Sequence, residues 1–406
     1  MASIHAQGSQ PGPAARAKCP PHSDRAGVLK QFAQSASLRG GSLSPLLTQI
    51  RDTPLLWLLS LVPVLFVAKA FKPEAHAVLF LLSVAAIVPL AALMSHATES
   101  VASKTGDAVG GLLNATLGNL TELIIALTAL RAGEYVLVKA SIAGAIVANT
   151  LFMLGASLLL GGLKHHVQEY NRSTARFQAG LLFVATIALL VPSLESGANA
   201  AAAGSQFTQV LSLGLAILLV ISYVLGMLFS LKTHREVFAS ATRDHEDQTP
   251  WPIALALVTL AGVTVLIAMV SEIFVESVQH AAETFGMTAA FVGFIVVALV
   301  GAAAEMASAF AAARKNRLDL SVGIALGSAS QIALFVAPVL VLLSYCIGPT
   351  PLNLQFWPAA TVMMLIASLT ATLVTNGGRS AWFLGVLLLD VYLIFAMTLY
   401  LMPPPV

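Results

Sequence analysis

Apolar residues run along this chain in long blocks separated by short polar breaks. The blocks cover 55–71, 75–94, 109–130, 138–163, 177–192 and 210–231, then 252–275, 289–313, 320–346, 356–374 and 381–402. A helix needs ~20 predominantly apolar residues to cross a bilayer, and each block comes near that length. The pattern predicts an all-α polytopic membrane protein with about eleven transmembrane helices. Residues 1–52 are polar and basic, rich in Ala, Ser, Gly and Pro, and read as a partly disordered cytoplasmic tail. Within it, 27–47 reads as linker, with a short surface helix as the rival. No apolar core with a cleavage site marks a removable signal peptide, although the basic composition also fits a transit peptide. The expected units are the tail (1–52), a first helix plus five more (53–231), a charged cytoplasmic loop (232–250) and a second set of five (251–402).

Composition agrees with the pattern. The chain is 57% hydrophobic and 10% charged, against roughly 25% charged in a soluble domain. A formal net charge of +2 leaves no nucleic-acid footprint. Cys19 and Cys346 are too far apart in sequence for a disulfide framework or a zinc pattern. In an eleven-span arrangement, 17 of the 21 Lys and Arg fall on one side; Lys69, Lys72, Arg131 and Lys139 fall on the other. Basic residues stay inside, so the amino terminus is expected in the cytoplasm and the carboxyl terminus outside.

Two blocks carry a glutamate at depth. Gly118-Asn119-Leu120-Thr121-Glu122 lies in the third, and Gly301-Ala302-Ala303-Ala304-Glu305 in the eighth. Each glutamate follows a glycine by four residues. Glu99-Ser100-Val101 precedes the first motif as Glu276-Ser277-Val278 precedes the second, and small-residue stretches follow at Gly144-Ala145 and from Gly327 to Gln331. Five helices separate the halves. An odd number inverts the second half relative to the first, as in transporters whose ion sites lie on interrupted helices at the bilayer midplane.

The residues Gly118 to Ile124, continuing through Ser141 to Asn149, resemble the first signature of the calcium/proton exchanger family within the calcium/cation antiporter superfamily. Lys315 to Leu320 and Gly327 to Pro338 (GSASQIALFVAP) resemble the second. The resemblance implies one peripheral helix plus two inverted repeats of five, with Ca2+ exchanged for protons. Four positions depart from the family pattern: Ala302 stands for Asn, Met306 for His, and Ala145 and Ala148 for Ser. The site has therefore lost several neutral oxygens.

Glu122 and Glu305 are the leading candidates for cation ligands and proton carriers. All the basic residues map to loops or span ends, so neither glutamate has a buried cationic partner in prospect. A buried carboxylate then avoids an unpaired charge by holding a proton or a metal cation. Asn119 adds a hard amide oxygen on the face of Glu122, and calcium accepts ~6–8 such ligands in flexible geometry. Glu99, Glu272, Glu276, Gln331, Ser328 and Asn149 are expected along the proton or cation pathway, and Gly118, Gly144, Gly301 and Gly327 at helix breaks or close approaches. Thr116 and Ser308 compete with simple backbone bonding. Asp390, buried in the last block, has only its cost to speak for it. His165-His166 and Arg243 to Asp247 read as solvated surface.

The expectation is an alternating-access antiporter and not an enzyme, with no cofactor, Ca2+ and H+ as transported ions, the lipid bilayer as surroundings, no nucleic acid, and a homo-oligomer left open. A sodium- or potassium-coupled calcium exchanger and a cation channel are the alternatives. A bacterial plasma membrane is expected, with a vacuolar membrane as the alternative.

Overall fold

The apolar blocks become helices. The structure, a computed structural model, describes residues 44–105, 107–194, 200–233 and 250–401. Most of the basic tail and the Arg243–Asp247 cluster lie outside them. Among the described residues, nine helices are long and apolar enough to cross a membrane. In chain order they are the first span (Pro54–Phe71), second (His76–Lys104), fourth (Tyr135–His165), fifth (Arg172–Leu194) and sixth (Gln206–Thr233). The seventh (Ile253–Thr284), ninth (Leu318–Ile347), tenth (Pro358–Thr375) and eleventh (Trp382–Leu401) follow. The third and eighth are interrupted. Asp107–Leu117 and Leu120–Arg131 flank Gly118-Asn119, while Ala289–Gly301 and Ala303–Arg314 meet at Ala302 with a 58° bend. Every predicted span thus has a helical counterpart.

The two halves interleave. The second span packs on the seventh, with Phe80 and Phe274 stacked 5.4 Å apart, and the fifth packs on the tenth. The second half of the fourth span meets the eleventh, as the second half of the ninth meets the sixth. Elements five spans apart therefore occupy matching places, the arrangement that inverted repeats produce. The described residues from Thr48 onward form a single compact unit.

Two short strands escape the helical pattern. Val167–Glu169 pairs antiparallel with Arg379–Ala381, and Arg379 bonds Glu169 at 2.7 Å. Gln168 donates from this strand to the Ala313 carbonyl at 3.0 Å and to Asn316 at 2.9 Å, satisfying the end of the eighth span. His165 lies 3.0 Å from the Arg314 carbonyl in the same corner.

Candidate functional site

The two breaks build the site. A glycine removes the side chain at each break, and the next residue leaves helical geometry: Asn119 at φ −96°, ψ 25° and Ala302 at φ −82°, ψ 5°. The helix then restarts with Glu122 or Glu305 in its first turn, where the positive end of the dipole faces an anion. The glycines pack crosswise. A Cβ on Gly301 would lie 3.0 Å from Cγ of Glu122, and one on Gly118 would lie 3.8 Å from Oε1 of Glu305. Gly301 thus makes room for Glu122, while Gly118 lies beside Glu305 at ordinary contact distance.

Both glutamates are half-buried as residues. Their carboxylates are more enclosed than that. Neither Glu122 oxygen has a hydrogen-bond partner or measurable exposure, and the same holds for Oε2 of Glu305. None of the described ion pairs involves either residue. The two carboxylates are close enough to repel, and Glu99 adds a third negative charge within reach of Glu305.

Neutral oxygens and amides form one chain beside them. Asn149 donates to Ser328 at 2.8 Å, Ser328 donates to Asn119 at 2.9 Å, and Asn119 donates to Gln331 at 2.6 Å. The chain crosses from the fourth span to the ninth, to the third and back to the ninth. Ser328 also lies beside the Glu305 carboxyl. Asn149 Oδ1 is buried without a partner, and a carbonyl oxygen such as Asn119 Oδ1 keeps a second lone pair. Asn149 sits in a π-helical stretch, Ala148–Met153, and Gln331 directly precedes another, Ile332–Val336. Such bulges re-aim side chains and recur at functional sites. Among the described residues no group of three or more His, Cys, Asp or Glu has metal-holding geometry. The donor set is two carboxylates plus amide and hydroxyl oxygens, chemistry that suits a hard cation held in passing.

Several expected positions fall elsewhere. Glu272 and Glu276 are exposed; Glu272 lies 4.0 Å from Arg131, and Glu276 pairs with Lys69. Both acids sit at the exposed side of the seventh span beside those basic residues, so the structure does not bring them to the two glutamates. Glu99 is half-buried, with Ser95 donating to it at 3.4 Å. Gly144 and Gly327 are not helix breaks, because both lie inside continuous helices. Gly144 is a close approach instead, since a Cβ there would collide with the Phe294 backbone. Thr116 bonds its own helix at Leu112 O, and Ser308 is exposed. Asp390 is exposed, not buried.

Three polar groups escaped the sequence reading. Gln178 on the fifth span lies against Gly327 and has a buried, unpartnered Oε1. It lines a small cavity with Asn171, Thr174 and Asp319. Thr98 and Ser271, on the crossing second and seventh spans, are buried with unpartnered hydroxyls. The repeated hydroxyl-acid pairs Thr98-Glu99 and Ser271-Glu272 were a signal for these two. Gln178 left none, because a lone amide in an apolar block has no pattern around it.

Known proteins share these features. Residues 75–232 and 255–401 match the sodium/calcium exchanger protein family. The Ca(2+)/H(+) antiporter ChaA of Bacillus subtilis (strain 168) is 41% identical over 330 residues, covering 80% of this chain and 93% of that protein. Vacuolar cation/proton exchanger 1a of Oryza sativa subsp. japonica is 34% identical over 405 residues, 95% of this chain and 89% of the relative. The solved structure of native YfkE superposes with a TM-score of 0.75 at 37% identity, covering 86% of this chain and all of that one.

Proposed function

The chain belongs to the sodium/calcium exchanger protein family, and from that premise we propose that it is a secondary antiporter exchanging Ca2+ for protons, with Glu122 and Glu305 as the shared carboxylates. One observation carries the reading: each half presents one glutamate at the start of an interrupted half-helix, and the enclosed carboxylates have no cationic partner. Two such carboxylates are stable with two protons or with one divalent cation. Either occupant cancels the charge, so the occupants exclude each other and exchange follows.

The steps follow from the side chains. Ca2+ approaches and both carboxyls give up their protons. Glu122 and Glu305 bind the ion from opposite halves, while Asn119, Ser328, Gln331 and Asn149 offer neutral oxygens that replace part of its water. One half then shifts against the other and the site opens to the far side, where protons reoccupy the carboxyls and Ca2+ leaves. Two protons per Ca2+ make the cycle charge-neutral. A third would couple transport to the membrane potential at ~2.3 kcal/mol per charge per 100 mV.

Orientation rests on the basic residues. Arg172, Arg176, Lys164, Arg314, Lys315, Arg317 and Arg379 gather at one end of the spans, and that end is assigned to the cytosol. The small cavity lined by Asp319 and Gln178 includes Asn171, next to Arg172 in the chain, with Gln178 against Gly327, and we assign to it the cytosolic approach of the cation. Glu99 supplies a carboxylate near Glu305 for the same route. A bacterial plasma membrane with the amino terminus inside is the assigned location.

Calcium uptake into inverted vesicles or proteoliposomes under an imposed pH gradient, without sodium, tests the proposal. Uphill uptake that collapses with a protonophore and with Glu122→Gln or Glu305→Gln supports it. Full proton-coupled flux in Glu122→Gln sinks the assignment of the carboxylates. Flux that follows sodium and ignores pH sinks the assignment of the coupling ion.

A further inference from the structure

Two tyrosines repeat across the halves, outside the carboxylate site. Tyr223 on the sixth span lies against Phe335 with ring centres 5.1 Å apart, and Tyr392 on the eleventh lies against Phe152 at 5.3 Å. Phe152 follows Glu122 by thirty residues, as Phe335 follows Glu305, so the two contacts are counterparts. Each phenylalanine sits in one of the π-helical stretches, Ala148–Met153 and Ile332–Val336. Both tyrosines are buried, and neither hydroxyl has a hydrogen-bond partner among the described residues. A buried hydroxyl left unpaired is costly, and phenylalanine would supply the same ring without it.

The surroundings of the two hydroxyls differ. Beside that of Tyr223 lies Thr116, on the half-helix before the third-span break and one turn ahead of Asn119. The two hydroxyls fall short of hydrogen-bond geometry. The Thr116 proton is spent on the Leu112 carbonyl at 2.7 Å, which leaves its oxygen free to accept. This half-helix is loosely held: Val109 is 53% exposed, and Gly111 rests on the flexible Leu231 side chain of the sixth span. A small inward swing completes the bond. In the other half, Leu299 stands where Thr116 does, two residues before the glycine of the break, and offers Tyr392 no oxygen. Phe335 lies one turn after Gln331, so a bond from Tyr223 to Thr116 ties together the segments that carry Gln331 and Asn119. Resting on the exchange reading above, we propose that Tyr223 is a positioning residue for transport. Its hydroxyl is unpaired while the third-span flank is loose, as in this structure, and donates to Thr116 when that flank closes in the opposite-facing state.

Removing single hydroxyls tests it. In proteoliposomes, Tyr223→Phe should slow calcium turnover about fivefold at an unchanged half-saturating concentration, without lowering the unfolding temperature of the purified chain. Tyr392→Phe should leave turnover as it was. Thr116→Val should match Tyr223→Phe, Thr116→Ser should keep the parent rate, and the double variant Tyr223→Phe/Thr116→Val should be no slower than either single one. A lower unfolding temperature in Tyr223→Phe would show the hydroxyl already paired, and overturns the proposal. Unchanged turnover, equal slowing by Tyr392→Phe, or losses that multiply in the double variant overturn it too. A second arm needs no cargo. On a Cys19→Ser, Cys346→Ser background, Val109→Cys reports the flank, and its thiol should be labelled about twofold faster or more in Tyr223→Phe but not in Tyr392→Phe. Faster labelling without calcium flux in the parent sinks the exchange reading alone, whereas equal labelling in parent and Tyr223→Phe sinks the Tyr223–Thr116 bond.

Discussion

The two interrupted helices are alike in sequence and unlike in packing. In the eighth span, the half before the break is clamped to the fourth. Val292 and Phe294 are fully buried, and Gly144 lies so close to the Phe294 backbone that a methyl group has no room. In the third, the half before the break, Asp107–Leu117, leaves Val109 and Leu112 about half exposed, at 53% and 47%. Its counterpart contact is missing as well. A Cβ on Gly327 would find only the flexible Gln178 side chain within 4 Å, with Nε2 at 3.3 Å. On one flank of the glutamate pair the packing is therefore backbone against backbone, beside a small cavity lined by Glu122, Ser141, Ala145 and Val297, and on the other it rests on a side chain that can swing. In the orientation proposed above, the first flank faces out and the second faces in. Alternating access asks for the two flanks to exchange roles, and the pseudo-symmetry of the halves supplies the matching parts.

The largest effect comes from breaking what the halves share. Glu122→Gln and Glu305→Gln should each lower proton-coupled calcium uptake by roughly two to three orders of magnitude, because each strips one charge from a pair that works together. A large loss in one and none in the other would show that the site belongs to one half. Proton competition comes next. In the range where both carboxyls are protonated, acidification by one pH unit should raise the half-saturating calcium concentration about a hundredfold, since two protons must leave for each ion bound. A tenfold rise would leave a single competing carboxyl.

The flanks themselves are compared with glycine. Gly144→Ala forces a methyl into the Phe294 backbone and should cost ~1–3 kcal/mol of stability, read as a lower unfolding temperature in detergent. Gly327→Ala meets only Gln178 and should leave that temperature nearly unchanged while slowing turnover, because the flank must close there during the cycle. Equal melting shifts would mean the two flanks are equally packed. The smallest expected effect concerns the one polar difference at the breaks. Asn119→Ala removes the link between Ser328 and Gln331 and should weaken calcium binding about tenfold. Ala302→Asn offers the other half the same oxygen, and should tighten it by no more than that.

Hydropathy and composition were enough to find the spans, because crossing a bilayer is a demand on length and polarity that each segment meets alone. The two glutamates were legible for the same reason: an acid at depth stands out against apolar neighbours whatever it later touches. The break at Gly118 was hinted at by its glycine, but the apolar block runs straight across it. Glu272 and Glu276 fall near span ends and along the expected pathway; only the structure shows them exposed there, close to Arg131 and Lys69, which are remote in sequence. Ser328, Gln331 and Asn149 were singled out one by one, and nothing in their spacing said that they join Asn119 in a single chain.

The sequence by itself determined the helical membrane class, the succession of spans, the twofold repetition and the two acids at its centre. Tertiary structure alone decided which glycines break a helix and which admit a neighbour, which acids turn inward, which flank is packed backbone to backbone, and that Asp390 looks away from the protein. The physical reason is that hydropathy and periodicity are properties of one segment, whereas a side chain's partner depends on how each helix is rotated and where it crosses the next. Those two quantities are set by close packing among residues a hundred or more positions apart, and no local pattern carries them.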